Sequence, residues 1–109
     1  ALYSDVIAAV RAGAAAAAPA VASADAIKRV ADGRVTASID KTDLRIVQAP
    51  SAYRASTLRA VLAGGARAPE ELELIERSGG EVRLVPGDPR NVHVATVQDL
   101  DLARRLLGR

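Results

Sequence analysis

The chain has 109 residues, half of them hydrophobic, with no cysteine and a formal net charge of +2. This length and apolar content predict one folded domain. The absence of cysteine excludes disulfides and thiolate metal sites, as is usual for cytoplasmic proteins. The small charge, spread over scattered basic residues, gives no nucleic-acid-binding surface, and the apolar run Ala14–Ala18 is far too short to span a membrane. We therefore expect a cytoplasmic protein that binds neither nucleic acid nor membrane.

The hydrophobic side chains are mostly small. The sequence contains no Phe, Trp or Met, and its two aromatic residues are Tyr3 and Tyr53. Because small side chains bury little apolar area, we expect the core to depend on a partner surface or on further chain. The chain begins at Ala1 and has no methionine, so we expect it to be part of a longer protein.

The first twenty residues predict a helix followed by a strand. Apolar residues recur at helical spacing within residues 2–10, and Gly13 is suited to end that helix in a left-handed conformation. Ala14–Ala18 is predicted as a buried strand closed by Pro19. Alanine propensity alone equally allows the helix to continue, but the helix and strand alternation of the later chain favours a strand.

A hairpin is predicted next. Residues 26–30 and 34–39 are short extended segments on either side of Asp32-Gly33, a dipeptide typical of tight hairpin turns. Each segment mixes basic and aliphatic residues, so we expect the hairpin to be half exposed. Leu44–Val47 reads as a further strand that ends before Pro50.

The following region alternates helices and a strand. Ser51–Leu62 is predicted as a helix ended by Gly64-Gly65, and Pro69–Arg77 as a second helix with Pro69 at its first position. Val82–Val85 is predicted as a strand. This alternation predicts an α/β domain with a mainly parallel sheet and one hairpin excursion.

The stretch from Gly87 to Leu107 contains the single histidine and the clearest helix start. Asn91–Val94 alternates polar and β-branched residues, as in a strand with one buried face. Thr96 is predicted to cap the next helix, with Asp99 adding a favourable charge in the first turn. An apolar stripe from Leu100 to Leu107 follows at helical spacing.

Taken by themselves, the residues identify no catalytic group and no metal site. His93 has no cysteine or second histidine to share a metal with, so a satisfied or exposed histidine is the simplest interpretation. Gly64-Gly65 and Gly79-Gly80 follow predicted helices instead of opening them, which is the wrong context for binding phosphate. No nucleophile motif is present.

Four segments nevertheless resemble motifs of one enzyme family, in the right order and at the right spacing. Residues 25–29 (D-A-I-K-R) resemble D-T-[hydrophobic]-K, and residues 40–44 (D-K-T-D-L) resemble D-R-x-x-L. Residues 48–53 (Q-A-P-S-A-Y) resemble Q-T-P-Q-x-F. Residues 87–100 resemble G-x-x-x-N-[hydrophobic]-K-[hydrophobic]-T-x-P-x-D-L. Together they resemble the C-terminal half of the methylerythritol-phosphate cytidylyltransferase family of isoprenoid precursor synthesis.

This resemblance implies a fold, a reaction and partners. The fold is the C-terminal half of a Rossmann-like nucleotidyltransferase three-layer sandwich, with a protruding β-hairpin arm at residues 25–46 that joins two subunits into a homodimer. The reaction is attack of the sugar-phosphate on the α-phosphate of CTP with Mg²⁺, releasing pyrophosphate. Chemistry of this kind depends mainly on charge neutralisation and positioning.

The resemblance also assigns five substrate-binding positions, several of which carry altered side chains. Ala26 stands where the family has a threonine near the sugar-phosphate, two residues before the matching Lys28. Lys41 replaces an arginine that reaches the phosphate from the partner subunit, so the bidentate fork is lost. Ala49 replaces the threonine of Q-T-P-Q, and His93 replaces a phosphate-contacting lysine.

Other parts of the family pattern are altered or lie elsewhere. Ser51 replaces the second glutamine of Q-T-P-Q, and Pro69-Glu70-Glu71 occupies the place of T-D-[DE]. The glycine-rich triphosphate loop and the H-D-A-A-R segment belong N-terminal to anything in this sequence. Two functions are therefore carried forward: part of an active cytidylyltransferase whose CTP-binding half lies outside this sequence, or a catalytically degenerate relative that serves as a dimerising scaffold.

Overall fold

The computed structural model describes residues 1–65 and 67–108. Its helices and strands lie in a mixed α/β order, and no helix in these ranges is long and apolar enough to cross a membrane. The elements are α1 (Leu2–Arg11), β1 (Ala16–Val21), β2 (Lys28–Ala31), β3 (Arg34–Ser38), β4 (Ile46–Val47), β5 (Ala52–Tyr53), α2 (Ala55–Ala63), α3 (Glu71–Arg77), β6 (Val82–Pro86) and α4 (Val97–Leu106).

Strand β1 is the centre of the main sheet. It pairs in parallel with β6 on one side, and antiparallel with β4 and β5 on the other. The longest pairing, between β1 and β6, is parallel as predicted, but the two short antiparallel pairings make the sheet mixed. Between β1 and β4 the chain forms a hairpin instead of a helical crossover, so the returning strands run antiparallel to β1.

Pro19 lies inside β1 and does not close it as predicted. A proline inside a central strand needs a place where no ladder hydrogen bond is required from its nitrogen. Pro19 sits between the Ala17–Ala52 pair of β5 and the Ala20–Val47 pair of β4. Pro19 therefore lies at the point where the strand beside β1 changes from β5 to β4. No ladder hydrogen bond from its nitrogen is needed there.

The core is built on alanines of β1 that alternate between two helix layers. Ala16 and Ala18 pack with Leu72 and Ile75 on one face, whereas Ala17 packs with α1 on the other. Small strand residues let both helices approach the backbone closely. A buried strand is present as predicted, but it runs over Ala16–Val21 instead of Ala14–Ala18, and the α/β layering surrounds a core of small side chains.

Two helices start later than predicted. Helix α2 starts at Ala55 instead of Ser51, because residues 52–53 first pair with β1 as strand β5. Helix α3 starts at Glu71 and not at Pro69. The side chain of Glu70 caps α3 by accepting from the N–H of Glu73, 3.1 Å away.

The predicted hairpin is present as a separate two-stranded sheet of β2 and β3. Asp32 and Gly33 both adopt positive φ, at 51° and 75°, as a type I′ turn requires. Every residue of the two strands is exposed, more than the half exposure expected. The radius of gyration is 16.4 Å, against about 13 Å for a compact domain of this length, so the described chain is less compact than a typical domain of its size.

Candidate functional site

The candidate site is a corner where the segment after β4 meets the turn after β6. Gln48 follows β4 and is fixed to the sheet, since its backbone N–H donates to Pro19 O at 2.8 Å. Its half-buried side chain reaches the turn. Oε1 accepts from the Asp88 N–H at 3.1 Å, and Nε2 donates to Asp88 O at 2.8 Å and to Asn91 O at 3.2 Å.

Gly87 makes this approach sterically feasible. A Cβ at this position would overlap Gln48 Oε1 and lie 3.1 Å from the backbone of Ala20. The Gly87 N–H also donates to Ala20 O at 2.9 Å, which anchors the turn to β1. The glycine is therefore required by close packing and not by an unusual φ.

Polar groups inside the turn complete the corner. Asn91 donates through Nδ2 to Ala49 O, and its N–H donates to Asp88 O at 2.9 Å. Arg90 contacts the Asp88 carboxylate at 3.1 Å and donates its backbone N–H to Asp88 Oδ1 at 2.9 Å. The Arg90 hydrogen bonds hold the pKa of Asp88 below its ordinary value.

A cleft of about 260 Å³ lies beside the corner. Residues 46–49 form one wall and residues 91–94 the other, so the structure brings Ala49 and His93 to the same cleft. His93 itself is exposed. Two of the five predicted substrate-binding residues therefore share one cavity.

The predicted strand at Asn91–Val94 is not formed. Strand β4, which lines the same cleft, has only two residues, and residues 91–94 form no ladder with it. The Gln48 carboxamide contacts Asn91 O in place of a backbone ladder. The segment runs past β4 without hydrogen-bonding to it as a strand, which leaves the cleft open between them.

The start of α4 behaves as predicted. Thr96 Oγ1 accepts from the Asp99 N–H at 3.1 Å, and Asp99 Oδ2 accepts from the Thr96 N–H at 3.1 Å, which forms a capping box. The Ala95 N–H also donates to Asp99 Oδ2 at 3.0 Å. These bonds, led by the one from Ala95, hold the pKa of Asp99 below its ordinary value, and the nearby His93 acts in the same direction.

The other three predicted positions lie on the arm, the segment 25–46. Ala26 is exposed near its start. Lys28 Nζ donates to Ser38 Oγ across the hairpin at 2.7 Å. Lys41 is half-buried at the base, where its carbonyl accepts from the Leu44 N–H at 3.1 Å. None of these three residues lines the cleft that contains Ala49 and His93.

The sequence did not mark Gln48, Gly87 or Asn91 as site residues. All three lie inside the motif segments, and Asn91 is the single asparagine of the chain. Their shared contact joins residues 40 or more positions apart, which local patterns do not report. Within residues 1–65 and 67–108, no three His, Cys, Asp or Glu side chains cluster in a way that holds a metal ion.

Comparison with known proteins connects this chain to one family. The family model "IspD: 2-C-methyl-D-erythritol 4-phosphate cytidylyltransferase" matches residues 1–109. The enzymes of that name from Rubrobacter xylanophilus and Saccharopolyspora erythraea are 44% and 40% identical, over 98% and 95% of this chain. The matches cover 48% and 47% of those proteins, so the chain spans about half the length of the curated relatives it matches.

Solved structures agree on the fold. The 2-C-methyl-D-erythritol 4-phosphate cytidylyltransferase of Thermus thermophilus superposes with a TM-score of 0.84 at 25% identity, over 99% of this chain and 55% of that one. A 4-diphosphocytidyl-2C-methyl-D-erythritol synthase gives 0.82 at 30% identity, over 97% and 49%. The Rossmann-like nucleotidyltransferase fold implied by the motifs is confirmed. The chain belongs to the 2-C-methyl-D-erythritol 4-phosphate cytidylyltransferase family.

Proposed function

We propose that this chain supplies the C-terminal half of an enzyme that transfers CMP from CTP to 2-C-methyl-D-erythritol 4-phosphate and releases pyrophosphate. The observation that carries the proposal is the family match over residues 1–109. The corner supports it, because the segments that resemble the family motifs at 48–53 and 87–100 meet there in space. A cytoplasmic location remains part of this proposal.

The cleft beside the corner is the proposed place for the sugar-phosphate. Ala49 and His93 line it, and an imidazole N–H can donate to a phosphate oxygen. Ala26, Lys28 and Lys41 are proposed to approach the same substrate from the arm of a partner subunit. Lysine contributes charge there, but not the two parallel hydrogen bonds of an arginine.

The arm is proposed to form the homodimer contact. Val30 and Val35 are cross-strand partners, and their side chains are 62% and 61% exposed. An isolated two-stranded hairpin is marginally stable in water. Covering this valine pair with a second copy of the arm would stabilise both hairpins.

CTP and Mg²⁺ are proposed for the complete enzyme. The described residues offer no cluster that fits a metal ion, so no step of the reaction is assigned to magnesium through this chain. What this chain contributes is placement of the acceptor phosphate by the cleft and by the arm. Phosphoryl transfer gains much of its rate from such positioning.

The proposal is tested on the full-length protein that contains this chain. Pyrophosphate release is measured with CTP, Mg²⁺ and 2-C-methyl-D-erythritol 4-phosphate, and CTP binding by titration calorimetry. We expect release that requires all three components.

The alanines at 26 and 49, which lack polar groups, favour the alternative of a degenerate scaffold. A stable dimer in sedimentation that neither binds CTP nor releases pyrophosphate would establish that alternative.

A further inference from the structure

We propose that Gln48 is a positioning residue for the sugar-phosphate. Its carboxamide holds the turn after β6 against β4, and through that turn it sets the place of His93 in the cleft. This inference rests on the proposed function and assigns a role to a side chain that lines the cleft but whose polar atoms are engaged by the turn after β6. The reasons lie in its hydrogen bonds, its steric setting and the lack of any backbone ladder at residues 92–94.

Both polar atoms of the Gln48 carboxamide form hydrogen bonds to the turn. Its oxygen accepts from the Asp88 N–H, and its nitrogen donates to the carbonyls of Asp88 and Asn91 at 2.8 and 3.2 Å. A primary amide has two N–H donors and one carbonyl acceptor, and all of them are engaged here. A carboxylate of the same size would instead place negative charge against two carbonyl oxygens.

The hydrogen bonds of the Gln48 side chain to Asp88 and Asn91, which we call the clamp, are tied to the buried central strand. The backbone N–H of Gln48 donates to Pro19 O, and the N–H of Gly87 donates to Ala20 O. Pro19 is fully buried in β1. Both sides of the clamp therefore start from the central strand, and the missing side chain of Gly87 leaves room for the carboxamide.

Beyond the clamp, few hydrogen bonds hold the segment that carries His93. In the part of the chain that the structure describes, no backbone hydrogen bond joins residues 92–94 to β4. The connections across the corner are the side-chain bonds of Gln48 and of Asn91, whose Nδ2 donates to Ala49 O. The next anchor is the Ala95 N–H on Asp99. The clamp therefore fixes the width of the cleft at its Ala49 end.

The test is Gln48→Glu in the full-length protein. We expect KM for 2-C-methyl-D-erythritol 4-phosphate to rise about tenfold. The substitution would displace the turn and with it His93, and a displaced binding group binds the substrate more weakly. KM for CTP should change by less than about twofold, since the clamp acts on the acceptor side. Asn91→Asp should shift KM in the same direction. Gln98→Glu, at the other glutamine of the chain and exposed on α4, is the matched control and should leave both constants unchanged.

A purely structural role gives a different result. Gln48→Glu would then lower the melting temperature but leave both KM values as they are, and that outcome overturns the inference. Wild-type protein without CMP transfer would contradict the proposed function and not the clamp. The clamp is then measured by hydrogen exchange of the Asp88 amide in Gln48→Leu, which removes the acceptor of that N–H: faster exchange than in wild type supports the clamp, and unchanged exchange overturns it.

Discussion

The central sheet and the arm are stabilised in opposite ways. In β1 the residues from Ala16 to Pro19 are buried, whereas every residue of β2 and β3 is exposed. The sheet is stabilised by helices that pack on the alanine side chains of β1. The arm is stabilised by the backbone hydrogen bonds between β2 and β3 and by its tight turn. Buried apolar area stabilises the first, whereas the second gains little such area until it meets another surface.

The strongest test of this contrast is a large-to-small change in the core. Ile75 is fully buried against Ala16 and Ala18. Ile75→Ala should lower the free energy of unfolding by about 3 kcal/mol, through lost burial and an unfilled cavity. Ile46→Ala, at a side chain that is 52% exposed, should cost less than about 1 kcal/mol. Urea unfolding followed by circular dichroism measures both. Equal losses would mean that the sheet core does not dominate stability.

The arm is tested by a charge on its exposed apolar pair. Val35→Asp should weaken the proposed dimer about 100-fold, since a carboxylate is costly to bury without a partner. The unfolding free energy of each monomer should hardly change, because Val35 is 61% exposed. Sedimentation across a concentration series measures the dimer, and Ile27→Asp should act in the same direction. Thr36→Asp, on the other face of β3, is the control. An unchanged dimer in both arm variants would count against the arm as the subunit contact.

The corner lies between these two extremes, because it is ordered by side-chain hydrogen bonds at a close backbone approach. Gly87→Ala would push a methyl group into the Gln48 carboxamide, and overpacking of this kind costs about 2 kcal/mol. Gly64→Ala is the matched control, since a Cβ there meets only ordinary contacts at 3.5 and 3.6 Å. Thermal unfolding compares the two variants. Equal melting temperatures would show that the turn after β6 gives way at little cost.

The features that sequence predicted well are those decided within a few residues. The Asp32-Gly33 turn follows from φ preferences, and the Thr96–Asp99 cap follows from the spacing of two side chains. No strand forms at the predicted Asn91–Val94, because strand formation requires a partner and these residues make no backbone ladder with the two-residue strand β4. The predicted helix from Ser51 starts late for the converse reason, because residues 52–53 find a partner in β1 and pair as β5.

The candidate site also contains residues that the sequence indicates and residues that only contacts between distant parts of the chain reveal. Ala49 and His93 were reached through motif resemblance, and the structure places them at one cleft. Gln48 and Gly87 are not marked by the sequence, since their importance appears only when residues about 40 positions apart come into contact. Lys28 and Lys41 lie on the arm, and their role as substrate-binding residues stays a prediction until the partner subunit is placed.

The smallest expected effect is a pH dependence at the start of α4. Hydrogen bonds from Ala95 and Thr96 lower the pKa of Asp99 in the folded protein. A lowered folded pKa means that the carboxylate stabilises α4 at pH values above its ordinary pKa, and that this contribution is lost as the pH falls through the folded value. Wild-type protein should therefore protect the Leu100 amide, bonded to Thr96 O at 3.1 Å, better than Asp99→Asn near neutral pH. The difference should vanish in strong acid. Asp101→Asn is the control, because Asp101 lies outside the cap. A difference independent of pH would show that the cap acts through shape and not through charge.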